Sequence, residues 1–214
     1  MSVTSRFTTT SILQKLVVAA AKDPRLENLA YGSALSRTNF YKQKLIKDFN
    51  NHLITKEIRA GPGLSNSAFL PVGNLFSFIG FYAEELDNPV LKIEEALKDN
   101  IDLIRHPKSK TIRRSSVLTK FIVKSPRLQT IWGVTPYPKG KGNIDRSGSW
   151  ANDIESRGID GFAFYVFSYA FSETFSRSTT GVQRKSAIRA GSFNQEIPYI
   201  RALLQEFRSK FKTN

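Results

Sequence analysis

The sequence predicts an α+β fold in which amphipathic helices pack on a mostly antiparallel sheet. Three observations predict it: some segments repeat apolar residues with helical spacing, others alternate as strands do, and Gly- or Pro-containing turns separate them. The chain has 214 residues, of which 40% are hydrophobic, enough to bury a core. We expect a flexible N-terminal arm over residues 1–10, one domain over 11–214, and long extended loops at about 138–149 and 172–193.

Two helices are predicted in the first third of the chain. Ser11 can cap a short helix that ends at Asp23-Pro24. A long amphipathic helix is expected from about Ser33 to Arg59, because apolar residues recur every four positions at Tyr41, Leu45, Phe49 and Leu53. The turn-forming residues of Gly61-Pro62-Gly63 should end that helix.

A strand and a third helix are predicted next. Residues 74–81 read as a short apolar strand. Asn88-Pro89 is a helix start, since Asn caps a helix and Pro fits its first position. One apolar stripe is expected along this helix, formed by Val90, Ile93, Leu97, Ile101 and Ile104.

A basic hairpin is predicted in the middle of the chain. Residues 111–124 alternate as a strand does, Leu128–Pro136 is its expected partner, and Ser125-Pro126-Arg127 is the expected turn. Several Lys and Arg would then lie on its solvent face.

The last third is predicted to hold two helices and one strand. A short helix is expected at Trp150–Arg157 and a final amphipathic helix at about Pro198–Phe211. Between them, Gly161–Phe171 is predicted to be a strand dense in aromatic residues.

The charge of the chain is large and unevenly distributed. Lys and Arg number 32 against 18 Asp and Glu, a net charge of +14, which predicts attraction to polyanions, chiefly nucleic acid. Residues 83–104 carry seven acidic and two basic groups, whereas residues 105–146 carry eleven basic groups and one acidic group. This separation of charge favours steering of charged partners by the electric field of the protein, or contact between the acidic segment of one subunit and the basic segment of another.

Several classes of chemistry have no support in the residues. The absence of Cys excludes disulfides and thiolate nucleophiles, and no phosphate-binding Gly-Lys-Ser/Thr loop is present. The apolar stretch Ile12–Ala21 is too short to span a bilayer, so a soluble protein is expected. We expect no enzyme activity and no cofactor.

Two other functions stay open at this point. A sequence-independent nucleic-acid-binding protein would use the basic hairpin. A metal-dependent nuclease would hold a divalent ion with carboxylates such as Glu94 and Glu95, although helix-surface positions explain these carboxylates more simply.

The sequence resembles the neck or tail-completion (head–tail joining) proteins of tailed bacteriophages. The similarity covers about residues 34–212 and rests on four stretches: Leu45–Ile58, Gly73–Phe81, Ser149–Gly158 and Thr180–Lys185. The resemblance implies a structural virion protein, assembled in the host cytoplasm, that forms a homo-oligomeric ring, expected to be a hexamer. It also implies contacts to adjacent neck, connector or tail-tube and sheath proteins, no membrane, and weak, non-specific contact with double-stranded DNA in the lumen.

Charge and loop position indicate which residues would make these contacts. Contacts to the DNA channel or to acidic partners are expected at Arg113, Arg114, Lys120, Lys124, Arg127, Lys139 and Lys141. Contacts between subunits are expected at Glu84, Glu85, Asp87, Arg184, Lys185 and Arg189.

Overall fold

A computed structural model describes residues 9–63, 74–81, 88–113, 116–138, 148–157 and 198–212. These residues are mostly helical, with one two-stranded antiparallel sheet, so the prediction of a broadly α+β fold is confirmed. The chain divides into two compact units: unit 1 is residues 1–41 with 101–124, and unit 2 is residues 42–100 with 125–214.

Unit 1 consists of helices beside a hairpin. Its elements are α1 (Thr9–Lys22), the first part of α2 (Pro24–Asn51), β1 (Asp102–Arg113) and β2 (Ser116–Lys124). The strands pair in antiparallel register from Asp102↔Lys124 to Arg113↔Ser116, with an irregularity between Arg105 and Lys110. Helix α1 contacts both strands.

The first helices differ from the predicted ones at their ends. Helix α1 begins by Thr9 rather than at Ser11, so the last two residues of the predicted arm are helical, while residues 1–8 lie outside the described part. Pro24 does end α1, but it also opens α2, because proline has no N–H to lose at the first helical position. The side chain of Asp23 caps this start by accepting a hydrogen bond from the backbone N–H of Arg25 at 2.8 Å.

The single long helix predicted over Ser33–Arg59 is wrong in two respects. Helix α2 starts nine residues earlier than predicted, and a second helix follows it after a break at His52. His52 has an extended backbone and caps the new helix, α3 (Leu53–Ala60). Four-residue apolar spacing does not reveal such a break, because the period continues across it.

Unit 2 is a helical assembly with its own core. Its other elements are a 3₁₀ turn (Gly61–Gly63), α4 (Leu75–Ile79), α5 (Asn88–Asp99), α6 (Leu128–Gly133), α7 (Trp150–Arg157) and α8 (Ile200–Ser209). Helix α3 contacts α4 and α5, α6 contacts α5 and α7, and α7 contacts α8. The largest fully buried side chains include Phe49, Phe76, Trp150 and Tyr199. The predictions of α7 and α8 are confirmed, as is the start of α5 at Asn88, but α5 ends at Asp99, before Ile101 and Ile104 of its predicted stripe.

Residues 74–81 do not form the predicted strand. Leu75–Ile79 is the short helix α4, which buries Leu75, Phe76 and Ile79 on one side. The ring of Phe76 lies 5.3 Å from that of Phe81, which in turn contacts Trp150 edge-on at 5.7 Å. A short apolar run suits either a strand or a helix, and here packing selects the helix.

The predicted partner and turn of the hairpin are also wrong. Leu128–Gly133 is the helix α6, and β2 pairs instead with β1, which contains Ile104, a residue predicted to be helical. β1 ends at Arg113 and β2 begins at Ser116, both inside the predicted strand 111–124, so Ser125-Pro126-Arg127 is not the turn of this hairpin. Residues 139–147 and 158–197, which include most of one predicted long loop, all of the other and the predicted aromatic strand, lie outside the described part.

Candidate interaction surfaces

The outward face of the hairpin combines two exposed lysines with one exposed isoleucine. Lys120, Ile122 and Lys124 alternate along β2 and are all exposed, with Ile122 42% exposed. In the register, Ile122 lies opposite Ile104, and Lys124 lies opposite Asp102. Directly paired residues share one face of a sheet, so two lysines flank an isoleucine pair on this surface.

The opposite face of the hairpin is held against α2 through Arg105. This guanidinium lies 3.6 Å from the carboxylate of Glu27, donates to the side-chain oxygen of Asn28 at 3.3 Å, and sits 5.0 Å above the ring of Tyr31. Tyr31 also contacts Phe121 edge-on at 5.7 Å. Arg105 therefore anchors the hairpin within unit 1.

A second exposed surface lies on the outer side of α2. At 3.6 residues per turn, Leu26, Leu29 and Phe40 fall within about 60° of one another, on the side of the helix away from Glu27 and Tyr31. Leu29 is 70% and Phe40 63% exposed. We call this surface the α2 outer face. The helix predicted from Ser33 includes Phe40 but not Leu26 or Leu29, so the sequence did not predict this surface.

The α2 outer face contains a shallow depression. Its lining residues are Arg25, Asn28, Leu29, Gly32 and Ser33. A Cβ atom built on Gly32 would meet no atom within 4 Å, so the space above this glycine is open. A projecting apolar side chain could enter there, with the Arg25 guanidinium beside it.

Unit 1 carries most of the net charge of the chain. Its sequence contains twelve Lys and Arg against three Asp and Glu, a net charge of +9 out of +14. Of the large hydrophobic side chains exposed in the described part, six belong to unit 1 and only Leu53 and Leu91 to unit 2; the six are Leu16, Leu26, Leu29, Leu35, Phe40 and Ile122. Unit 1 is thus basic, and it exposes most of the large apolar side chains found at the surface of the described part.

The structure locates only some of the residues predicted to contact DNA or partners. Lys120 and Lys124 share one exposed face of unit 1, whereas the exposed Arg127 precedes α6 in unit 2. Arg113 ends β1, and its side chain is not described. The remaining predicted contact residues lie outside the described part: Glu84, Glu85, Asp87, Arg114, Lys139, Lys141, Arg184, Lys185 and Arg189.

The structure does not gather the carboxylates of the described part into a metal site, and Glu94 already forms ion pairs. Burial would raise the pKa of Glu94, but the hydrogen bond and charge of Lys98 at 2.6 Å, aided by Arg59 at 3.4 Å, outweigh it and lower that pKa. Within the described ranges, no group of three or more His, Asp or Glu is placed to hold a metal ion. The nuclease hypothesis therefore gains no support from these residues.

In unit 2, a buried polar cluster fixes the start of α8. The hydroxyls of Thr55 and Tyr199 lie 2.8 Å apart, and both residues are fully buried. Nδ1 of His52 accepts a hydrogen bond from the N–H of Ile54, so its Nε2 carries the proton and donates to the carbonyl of Pro198 at 3.1 Å. Burial lowers the pKa of His52, while the bond to Pro198 opposes that shift.

Glu155 completes this cluster from α7. One carboxylate oxygen accepts the backbone N–H of Arg201 at 2.6 Å, so the carboxylate lies at the positive N-terminal end of α8. The other oxygen is buried and has no hydrogen-bond partner, with Arg201 Nε 3.9 Å away. Burial raises the pKa of Glu155, and the N–H groups of α8 oppose the shift. Most polar groups of this cluster pair with one another or with backbone groups of α3 and α8, which is typical of a structural role.

Comparison with known proteins gives no relative for this chain. No protein-family model, no curated protein and no solved structure matches it. A search of the described helices finds none that is both long and apolar enough to cross a membrane.

Proposed function

We propose that this chain is a structural virion protein of a tailed bacteriophage, which forms an oligomeric ring at the head–tail junction. The ring would be a neck, tail-completion or terminator ring through which DNA passes. One observation carries the assembly role: unit 1 exposes large apolar side chains on both the α2 outer face and the hairpin. Large apolar side chains that stay exposed beside charged ones favour a protein contact site.

The resemblance to neck and tail-completion proteins supplies the location of this ring. It is a likeness of four sequence stretches, and it covers elements of both units. In the proposed assembly, helices pack beside the antiparallel hairpin within each subunit. The protein would be located at the neck or tail end of the particle, after assembly in the host cytoplasm.

The charge of unit 1 supports a position beside DNA. A net charge of +9 on this unit attracts phosphates without reading bases. Lys120 and Lys124 share one exposed face, and such diffuse contacts would let DNA move past the ring. No enzymatic step and no cofactor are part of this proposal.

The alternative is a nucleic-acid-binding protein that acts outside the particle. The two exposed lysines of the hairpin face favour it. Each phosphate contact adds about 0.9 to the slope of log affinity against log salt concentration. Lys120→Ala with Lys124→Ala should therefore lower that slope by about 2 if the hairpin is the binding site, and Lys56→Ala with Lys92→Ala, two exposed lysines of unit 2, is the matched control.

The deciding experiment is quantitative mass spectrometry of purified particles of the phage that encodes the chain. A low, fixed copy number, equal to that of other ring proteins of the tail, is the expected result. Absence from the particle together with abundant protein in infected cells would overturn the proposal and favour the alternative.

A further inference from the structure

We propose that the depression on the α2 outer face of one copy receives Leu91 from α5 of a second copy, with Glu95 of that copy beside Arg25. The contact itself is inferred from the residues below. Its repetition around a closed ring rests on the proposed function.

Charge favours α5 of a second copy as the occupant. Two α2 outer faces meeting each other would bring together two units of net charge +9, which repel. Helix α5, by contrast, carries three acidic and two basic groups. A second copy therefore brings a slightly acidic helix to the basic unit 1.

The exposed residues of α5 fit this role. Leu91 is 48% exposed although the rest of the helix buries its apolar residues Val90, Ile93 and Leu97. Glu95 is exposed and lies one turn further along the same side. The neighbouring Glu94 and Lys98 neutralise each other through their 2.6 Å ion pair, and Lys92 lies about 100° around the helix from Leu91.

The spacing of the two surfaces matches. Arg25 and Leu29 lie one helical turn apart on α2, and Leu91 and Glu95 lie one turn apart on α5. If the two helices pack antiparallel, Leu91 enters the depression beside Leu29 and Gly32 while Glu95 faces Arg25. A Cβ atom on Gly32 would meet no atom within 4 Å, so no side chain covers this glycine where the leucine would enter.

This contact joins two different surfaces, so a pair of copies keeps one free α2 outer face and one free α5 surface. Such a heterologous contact propagates head to tail and either closes into a ring or continues as a filament. The contact uses far fewer residues than the roughly 20–30 on each side of a standard interface. A single contact is therefore weak, and ring closure or an adjacent ring would be needed to stabilise it.

The absence of cysteine makes a crosslinking test direct. We would mix full-length Leu29→Cys protein with full-length Leu91→Cys protein and add a short bismaleimide crosslinker. The expected product is a heterodimer from the mixture, and a ladder of higher oligomers from the double variant. Leu91→Cys mixed with Gln205→Cys, an exposed position on α8, is the control for random collision.

Charge exchange tests the same contact independently. Arg25→Glu on the Leu29→Cys partner, or Glu95→Arg on the Leu91→Cys partner, should each reduce the crosslinking rate about threefold to tenfold. The two changes together should restore it. Both residues are exposed, and circular dichroism of each variant confirms that it is folded.

The inference is overturned if the Leu29–Leu91 pair crosslinks no faster than the control pair, or if the charge exchange leaves its rate unchanged. Leu29→Cys homodimers that form in preference to heterodimers would indicate a symmetric α2 contact instead. A fixed ring-like copy number in particles, combined with either negative result, would leave the proposed function standing and refute only this interface.

Discussion

The side-chain hydroxyls of Thr55 and Tyr199 lie 2.8 Å apart and join helix α3 to the start of α8. The two residues are 144 positions apart in the sequence, and each is fully buried. The Tyr199 ring also stacks on Phe49 at 6.0 Å and contacts His52 at 4.8 Å. The C-terminal helix is therefore fixed to the core of unit 2 by hydrogen bonds as well as by apolar packing.

Removal of one hydroxyl from this pair should destabilise the protein. Tyr199→Phe leaves the Thr55 hydroxyl buried without its partner, and we expect a loss of about 1–3 kcal/mol in the free energy of unfolding. Thr55→Val should cost a similar amount. The double variant should cost less than the sum of the two, because no orphaned polar group remains. Urea denaturation of the four proteins measures this coupling, and strict additivity would contradict it.

His52 should make stability depend on pH on the acid side of neutrality. Burial lowers its pKa in the folded state, and its Nδ1 must stay unprotonated to accept the N–H of Ile54. The unfolded state therefore binds the proton more readily. The stabilising contribution of His52 is complete above the pKa of about 6.5 that it has in the unfolded state. This contribution is lost as the pH falls through the lower pKa of the folded state.

The matched variant is His52→Asn, which can cap α3 without titrating. Thermal melts between about pH 8 and pH 5 should show a smaller loss of Tm on acidification for this variant than for the native chain. An equal loss in both proteins would show that His52 is not the responsible group.

Glu155 should affect the pH dependence of stability in the opposite direction from His52. Burial raises its folded-state pKa, so the folded state holds the proton more readily than the unfolded state does. The contribution of this group to stability is largest below the unfolded pKa and falls as the pH rises through the folded value.

Glu155→Gln removes this titration but keeps an oxygen for the N–H of Arg201. We expect its stability to stay within about 1 kcal/mol of the native chain at neutral pH, whereas Glu155→Ala, which removes the acceptor, should cost about 1–2 kcal/mol. Urea denaturation at several pH values distinguishes the two variants. Equal destabilisation by Gln and Ala would show that the charge, rather than the acceptor, matters at this helix end.

Gly61 should not tolerate a side chain. It ends α3 with φ 71° and ψ −159°, and its N–H bonds to the carbonyl of Ile58. This region is essentially restricted to glycine, so Gly61→Ala should cost about 1–3 kcal/mol. Gly133→Ala, at the end of α6, is the control: a Cβ there meets no atom within 4 Å, and the change should be neutral or slightly stabilising. Similar losses at both positions would contradict the argument.

Much of the local structure follows from residues adjacent in sequence. Asn88-Pro89 starts α5, Gly61 stops α3, and the apolar stripe of α8 buries Ile200, Leu204 and Phe207, all as predicted. These signals are local because caps, glycine conformations and helical spacing act within one or two turns. The presence of an exposed cationic strand with Lys120 and Lys124 was likewise predictable from alternation.

The errors arose where two local structures were equally compatible with the residues. The Leu75–Ile79 run suits a strand until its side chains are packed against Phe81 and Trp150. Ile104 extends the helical stripe of α5 in spacing, but it pairs with Ile122 in the sheet. The predicted strand 111–124 includes the end of β1 and all of β2, and its alternation alone does not show that one strand ends at Arg113 and pairs with the next.

By itself, the sequence determined that this protein is a basic α+β chain with a helical C-terminus and a charge concentrated between residues 105 and 146, since composition and local spacing fix these properties. Only the tertiary structure decided that α2 begins at Pro24 and leaves Leu29 and Phe40 exposed, and that Glu155, His52 and Tyr199 meet at the start of α8. The physical reason is that burial and long-range hydrogen bonding are properties of packed elements. A leucine on a helix is core or contact surface according to what lies against it.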